Sequence, residues 1–296
     1  MRKSKVDSEV FVISAVVVCY NPDNNVLELV DTLLSQVDWV IVVDNSDTVS
    51  SDICIKLSQL ENERFIYLGT EENQGIAKAQ NCGFDKAREL NSNYIFTFDQ
   101  DSSIKESYVN NMMLELFSAS EKYNNIAILG PKILNERSGC KEGEIKVDNI
   151  EEKKSIISSG SLISMSAIDE IGENLSSWFI DLVDIEWCFR ARKRGWLVLQ
   201  TNKVTLLHNL GEFDKQLPII GLQYYSKPFR LKYFSRNTIF CLSSSSFSSK
   251  EKVFRLFILL LEVYKSIFVS DRMERLLFIY TGIKLGIKNI GGKIDV

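Results

Sequence analysis

Apolar and polar positions along the first hundred residues alternate between two periods. Val10–Tyr20, Trp39–Asp44, Arg64–Leu68 and Tyr94–Asp99 are short apolar runs rich in Val, Ile, Phe and Tyr. Continuous runs of this length predict strands buried on both faces. Between them, Asn25–Val37 repeats Val26, Leu29, Val30, Leu33 and Leu34 at helical spacing, which predicts an amphipathic helix. Gly75–Leu90 and Lys105–Ser118 carry helical patterns as well. Strands alternating with helices predict an α/β fold built on a mainly parallel, doubly wound sheet. A charged, loop-like stretch follows at Asn135–Lys154, then a strand at Ile156–Met165 and a short helical segment. Asp184–Gly195 has an Asp start and a Gly stop, a helix by its punctuation. Trp196–His208 resumes strand character, and from Tyr224 onward the chain turns basic and aromatic, then helical. The serine-rich Ser243–Ser249 is the one low-complexity stretch and predicts a loop.

Composition changes this picture only slightly. At 45% apolar and 25% charged, the 296 residues are ordinary for a globular protein. The net charge of −4 argues against a nucleic-acid binder. Its distribution is uneven: residues 226–296 hold 13 Lys and Arg against 5 Asp and Glu, so that segment carries +8 and the remainder −12. Six scattered cysteines contain no CxxC pair, which excludes a zinc ribbon and suits a reduced, cytosolic protein. The basic N-terminus lacks an apolar h-region behind it, so no signal peptide is expected. No uncharged apolar run reaches the roughly 18 residues that a membrane-spanning helix needs.

In a parallel sheet, ligands bind beyond the carboxyl ends of the strands. That rule singles out Tyr20-Asn21-Pro22, Asp44-Asn45-Ser46 and Asp99-Gln100-Asp101, polar clusters that each end an apolar strand. The alternating carboxylates Asp99 and Asp101 suit a hard divalent cation, Mg²⁺ or Mn²⁺. The competing reading is that Asp101-Ser102-Ser103 caps the following helix. Around Gly75, small residues recur through Ala77, Ala79 and Gly83. Such an entry either receives an anion on free helix N–H groups or lets the helix approach the sheet closely. Asp181, Asp184 and Glu186 lie among large apolar neighbours, where a carboxyl's pKa rises toward that of a general base. Alternatively, Asp184 caps its helix. His208, the sole histidine, is either a metal or acid–base group or a structural hydrogen-bonder. Gly286–Lys293 approximates a Walker phosphate loop, but it is one residue out of register and lacks the following Ser or Thr.

Taken in order, these motifs resemble the inverting family 2 glycosyltransferases of GT-A fold, particularly bacterial rhamnosyltransferases of polysaccharide and lipopolysaccharide assembly. The resemblance spans roughly residues 12–240. It rests on Val16–Pro22, Val43–Ser46, Asn73-x-Gly75-x-Ala77, Phe98–Ser102, Ser159-Gly160, Phe179–Arg190, His208 and Tyr233-x-x-Arg236-Asn237. It implies that Tyr20, Asn21, Asp44 and Asn45 hold the nucleoside, and that Gly75 and Ala77 lie against base, ribose or phosphate. Asp99, Gln100 and Asp101 would face the donor diphosphate, with Asp99, Asp101 and His208 as metal ligands. Asp184 falls where the family carries its catalytic base, in a Glu-Asp signature. Val183 stands in place of that Glu, so Asp181 is the neighbouring competitor. Arg236 and Asn237 would lie near the donor phosphates.

The implied reaction moves L-rhamnose from dTDP-rhamnose to a lipid-linked saccharide acceptor. Alternatives are a UDP- or GDP-linked donor, a nucleotidyltransferase, or a non-catalytic assembly partner. The expected organisation is a glycosyltransferase domain over 1–240, with a nucleotide-binding half at about 10–130 and an acceptor half at about 131–240. A basic amphipathic tail follows over 241–296. In that tail, the stripes Val253, Leu256, Phe257, Leu260, Tyr264, Ile267, Phe268 and Met273, Leu276, Leu277, Tyr280, Ile283 suit a homodimer interface or the inner face of the bacterial plasma membrane.

Overall fold

Hydrophobic runs and helical stripes assemble into one large sheet covered on both faces in the computed structural model, which describes residues 5–6, 9–47, 52–134, 149–207 and 213–294. Two-residue strands β1 (Lys5–Val6) and β2 (Glu9–Val10) pair with each other. The chain then runs β3 (Ile13–Cys19), α1 (Asn25–Leu34), β4 (Trp39–Asp44), α2 (Asp52–Ser58), β5 (Phe65–Gly69), α3 (Ile76–Glu89), β6 (Tyr94–Asp99) and α4 (Tyr108–Ser120). β7 (Ile126–Leu134), β8 (Ile150–Glu152), β9 (Ser161–Ser164), α5 (Met165–Ile171), α6 (Val183–Lys193) and β10 (Leu197–Leu207) complete the sheet region. A hairpin of β11 (Phe213–Leu217) and β12 (Gly221–Tyr225) leads to α7 (Arg230–Ser243), α8 (Ser249–Ile267) and α9 (Arg272–Ile287).

The sheet order is β5-β4-β3-β6-β9-β7-β10-β8. β5, β4, β3 and β6 are mutually parallel, and β9 runs antiparallel to both β6 and β7. Every residue of β3 is buried, as its unbroken apolar run requires. Ala15, Val17 and Cys19 join a core with Val26, Leu29, Val30 and Leu33 of α1. Val16 and Val18 face Ala79, Phe84 and Ala87 of α3 on the other side. Each of these Val, Leu and Phe side chains contributes about 1.5–3 kcal/mol on leaving water. Gly83 explains part of the small-residue pattern: a Cβ there would lie 2.3 Å from Val16 Cγ1, so α3 sits directly on β3.

Several elements differ from the sequence pattern. The strand expected over Ile156–Met165 shrinks to β9, because Gly160 turns the chain at φ +73 and Met165 opens α5. β7 was hidden by Gly130-Pro131, a dipeptide that punctuates most strands. Here Pro131 falls at the register shift between β7 and β10, where a missing N–H is tolerated. The expected domain boundary at 240/241 lies within α7, and α9 packs against that helix. A Cβ on Gly282 would meet the Lys232 carbonyl at 2.1 Å, and one on Gly286 would meet Ile239 Cβ at 2.6 Å. Gly286, the start of the Walker-like match, is thus a helix-packing glycine.

Candidate active site

Three strand ends converge at the carboxyl edge of the sheet, and hydrogen bonds tie them together. The Tyr20 N–H donates to Gln100 Oε1 at 2.7 Å, joining the end of β3 to that of β6. Asn21 turns at φ +48, a conformation Asn tolerates, and its N–H donates to Ser46 Oγ at 2.8 Å. The Tyr20 ring and Asn21 are exposed.

Asp44 and Asn45 act from behind this surface. Asp44 is fully buried and accepts from Ser46 Oγ at 2.5 Å, Ser46 N at 3.1 Å and Tyr67 Oη at 2.6 Å. Burial alone would push its carboxyl up, but hydrogen bonds from Cys54, Ser46 and Tyr67 hold it below the usual range. Asn45, also buried, donates to Asn73 Oδ1 at 3.0 Å and accepts from the Gln74 N–H at 2.8 Å. Through these bonds Asp44 and Asn45 shape the loops that carry Tyr20, Asn21 and Asp47.

Gly75 and Ala77 both meet the Phe179 turn. Gly75 has φ +84, and a Cβ there would lie 2.5 Å from the Phe179 ring. The Ala77 N–H donates to the Phe179 carbonyl at 3.2 Å, and Ala77 is fully buried. The small side chains let that turn come close.

Asp99 ends β6 half-buried, and Asp101 follows it on the surface. Helix capping does not account for Asp101, because α4 begins at Tyr108 with Ser107 as its cap. Ser159 supports the turn, its Oγ lying 2.9 Å from Ser102 Oγ and 3.4 Å from the Asp99 amide. Two carboxylates on a strand-to-turn junction are a hard oxygen donor set. They fit Mg²⁺ or Mn²⁺, which takes its other ligands from water and substrate phosphates. Among the described residues no three His, Cys, Asp or Glu side chains form a metal cage. His208 lies outside the described residues.

Opposite this edge, a turn of left-handed residues, Phe179 (φ 62), Asp181 (φ 67) and Leu182 (φ 60), delivers Asp184 into the first turn of α6. Leu182, not Asp184, is the cap of that helix. Such backbone is costly and persists only where the surroundings impose it. Asn237 Nδ2 imposes it here, donating to the carbonyls of Trp178, Ile180 and Asp181 at 2.7–2.9 Å. Arg236 assists, donating to the carbonyls of Trp178 at 2.9 Å, Ser177 at 3.2 Å and Gly292 at 2.6 Å. Arg236 is fully buried, and burial pushes its guanidinium down to about 10. Arg236 thus braces the turn that carries Asp184.

Burial, then the charges of Asp99 and Asp181, push the Asp184 carboxyl up to about 6, against an opposing hydrogen bond from the Ile185 N–H at 2.8 Å. Asp181 is engaged by Arg230, whose Nε and Nη2 both donate to its carboxylate. Arg230 also senses Asp99 and Asp184, and Asp181 foremost raises its pKa. Sequence reasoning passed over Arg230, whose partner lies 49 residues away. Position beside the Tyr233–Asn237 motif was the only signal it offered.

At this edge an exposed aromatic ring, two carboxylates at a strand end and a half-buried carboxyl pushed up to about 6 come together. Residues 14–130 match the model of glycosyl transferase family 2. The dTDP-rhamnosyl transferase RfbF of Shigella flexneri is 31% identical over 264 residues, covering 82% of this chain and 86% of that protein. The low-salt glycan biosynthesis hexosyltransferase Agl10 of Haloferax volcanii is 23% identical over 250 residues, or 78% of this chain and 77% of its own. Among solved structures, the mannosyltransferase PcManGT of Pyrobaculum calidifontis, in complex with GDP-Man and Mn²⁺, superposes with a TM-score of 0.57 at 12% identity, over 97% of this chain and 77% of that one. GalNAc-T7, solved with UDP, GalNAc and Mn²⁺, gives the same TM-score and identity over 96% of this chain and 57% of its own. The chain belongs to glycosyl transferase family 2, and it is a glycosyltransferase. The nucleotidyltransferase and non-catalytic alternatives fall away.

Proposed function

We propose that this enzyme transfers L-rhamnose from dTDP-rhamnose to a lipid-linked saccharide by direct, inverting displacement. What carries the reading is the similarity to a dTDP-rhamnosyl transferase over most of both chains, joined to an Asp184 raised to about 6 beside Asp99. Tyr20 offers its exposed ring to the base. Asn21 and Gln100 line the strand ends beside it. Asp99 and Asp101 would hold Mg²⁺ or Mn²⁺, with His208 as a further ligand. When bound, the cation supplies positive charge to the departing diphosphate. Asp184 takes the proton from the acceptor hydroxyl, whose oxygen attacks the anomeric carbon from the face opposite the nucleotide. Asp181 holds Arg230, whose charge also reaches Asp99 and Asp184.

The acceptor's lipid gives a role to the C-terminal helices. Val253, Phe254, Phe257 and Leu260 on α8 are at least half exposed, as are Met273, Leu277 and Tyr280 on α9. Lys250, Lys252, Arg255, Arg272, Lys284 and Lys288 accompany them. Apolar faces with basic flanks suit the surface of an anionic membrane. Among the described residues no helix is long and apolar enough to cross one.

One assay tests donor and membrane together: nucleotide release with the acceptor lipid embedded in anionic vesicles. dTDP-rhamnose is expected to outpace UDP- and GDP-linked sugars at least tenfold. A faster UDP- or GDP-linked donor would refute the donor assignment. Phe257→Glu with Leu260→Glu is expected to slow transfer on vesicles but not in detergent. Equal rates in both, with loss of a homodimer in solution, would make this face a dimer interface instead.

A further inference from the structure

We infer that the segment after α9 is part of the donor nucleoside subsite, and that Lys293 is a positioning residue for Tyr20. The inference rests on the proposed nucleotide-sugar reading. After α9 ends, residues 288–294 cross the short 3-10 turn Ser176–Trp178 and finish beside the loop that follows β4. Two glycines make that path. A Cβ on Gly291 would lie 2.7 Å from Ser177 Cβ, so only glycine lets the strap lie flat there. Gly292 turns at φ +80, a conformation glycine adopts without strain.

Both backbone neighbours of Lys293 are pinned. The Gly292 N–H donates to the Ser177 carbonyl at 2.7 Å, and the Gly292 carbonyl accepts from Arg236. The Ile294 N–H donates to Tyr233 Oη at 3.0 Å. Between these anchors, Lys293 Nζ donates to Asp47 Oδ1 at 2.9 Å, bridging 246 residues of sequence.

Asp47 is the junction. Its Oδ1 also accepts from the Asn73 N–H at 3.1 Å, and its Oδ2 accepts from Tyr20 Oη at 3.2 Å. The Lys293 hydrogen bond, ahead of those from Asn73 and Tyr20, holds the Asp47 carboxyl below its usual range, and the Lys293 ammonium is raised in return. Tyr20 is otherwise an exposed ring at a strand end. The chain Lys293–Asp47–Tyr20 fixes its hydroxyl, and so presents the ring face at one angle. Asp47 holds the Asn73 turn at the same time. The glycine-glycine-lysine run that imitates a phosphate loop in the sequence is therefore a strap reaching the nucleoside end of the donor.

Calorimetric titration of the full chain with dTDP and with UDP, alongside donor kinetics, tests this. Lys293→Ala is expected to weaken binding of whichever nucleotide the enzyme prefers, and to raise donor KM, by about three- to fivefold, the range of an exposed ion pair. The kcat, the acceptor KM and the melting temperature stay unchanged. Lys293→Arg restores affinity. Tyr20→Phe, which cuts the same link, is expected to show no additional loss in combination with Lys293→Ala. Unaltered nucleotide affinity in Lys293→Ala, additive losses in the pair, or a loss that Arg fails to restore would overturn the inference while the donor reading stands. A wild-type enzyme that binds neither nucleotide would overturn both.

Discussion

Asp184→Asn is expected to lower transfer by about three orders of magnitude or more, the scale of losing a positioned base, while dTDP affinity stays within about twofold. The asymmetry between the two candidate carboxylates supports this. Asp181 is locked by Arg230, whereas Asp184 is pushed to about 6 by burial and by its acidic neighbours. A base of that pKa is ionised at pH 7 and still basic enough to accept a proton. Rates in the wild type should therefore fall as pH drops below about 6. Asp181→Asn, which releases Arg230 but keeps Asp184, is expected to cost far less. Near-normal turnover in Asp184→Asn with loss in Asp181→Asn would reverse the assignment.

The same substitution has a stability signature of known sign. Folding raises the Asp184 pKa from near 3.9 to about 6, so between these values the native state binds more protons than the unfolded one. Stability contributed by this site falls across that window as pH rises, and the full cost is present above about 6. Asparagine carries no charge to desolvate. In metal-free protein, Asp184→Asn should match the wild type near pH 4 and exceed it by about 1 kcal/mol or more at pH 7. Thermal denaturation at the two pH values checks this.

Removing the divalent cation, or either of its expected ligands, is the second large effect. EDTA, Asp99→Ala and Asp101→Ala should each reduce transfer at least a hundredfold, because the cation would balance the charge that develops on the departing diphosphate. Mn²⁺ titration followed by electron paramagnetic resonance gives a readout independent of turnover. In the presence of dTDP, both variants should bind the ion at least tenfold more weakly than wild type. Full activity in EDTA would remove metal chemistry from the account.

Local patterns made the strands and helices of the first 130 residues legible. The burial of β3 follows from its uninterrupted valines, and the stripe Val26, Leu29, Val30, Leu33 and Leu34 is the buried face of α1. Polar residues at strand ends singled out the edge where Tyr20, Asp99 and Asp101 gather. What stayed hidden depends on distant partners. Arg236 is as basic as Arg230 in sequence, yet one is sealed against carbonyls and the other faces carboxylates. Gly75 serves Phe179, more than a hundred residues onward. Lys293 finds Asp47 only through a strap that two glycines permit. A motif shows which residue types are available, but burial decides which of them meet a ligand.

The central claim is a direct displacement in which an acceptor oxygen, activated by Asp184, attacks the anomeric carbon from the face opposite the nucleotide. Nuclear magnetic resonance of the transferred sugar tests it without reference to any substitution. The expected product has a single anomeric configuration, opposite to that of the nucleotide-linked donor. A product that retains the donor's configuration would contradict the account.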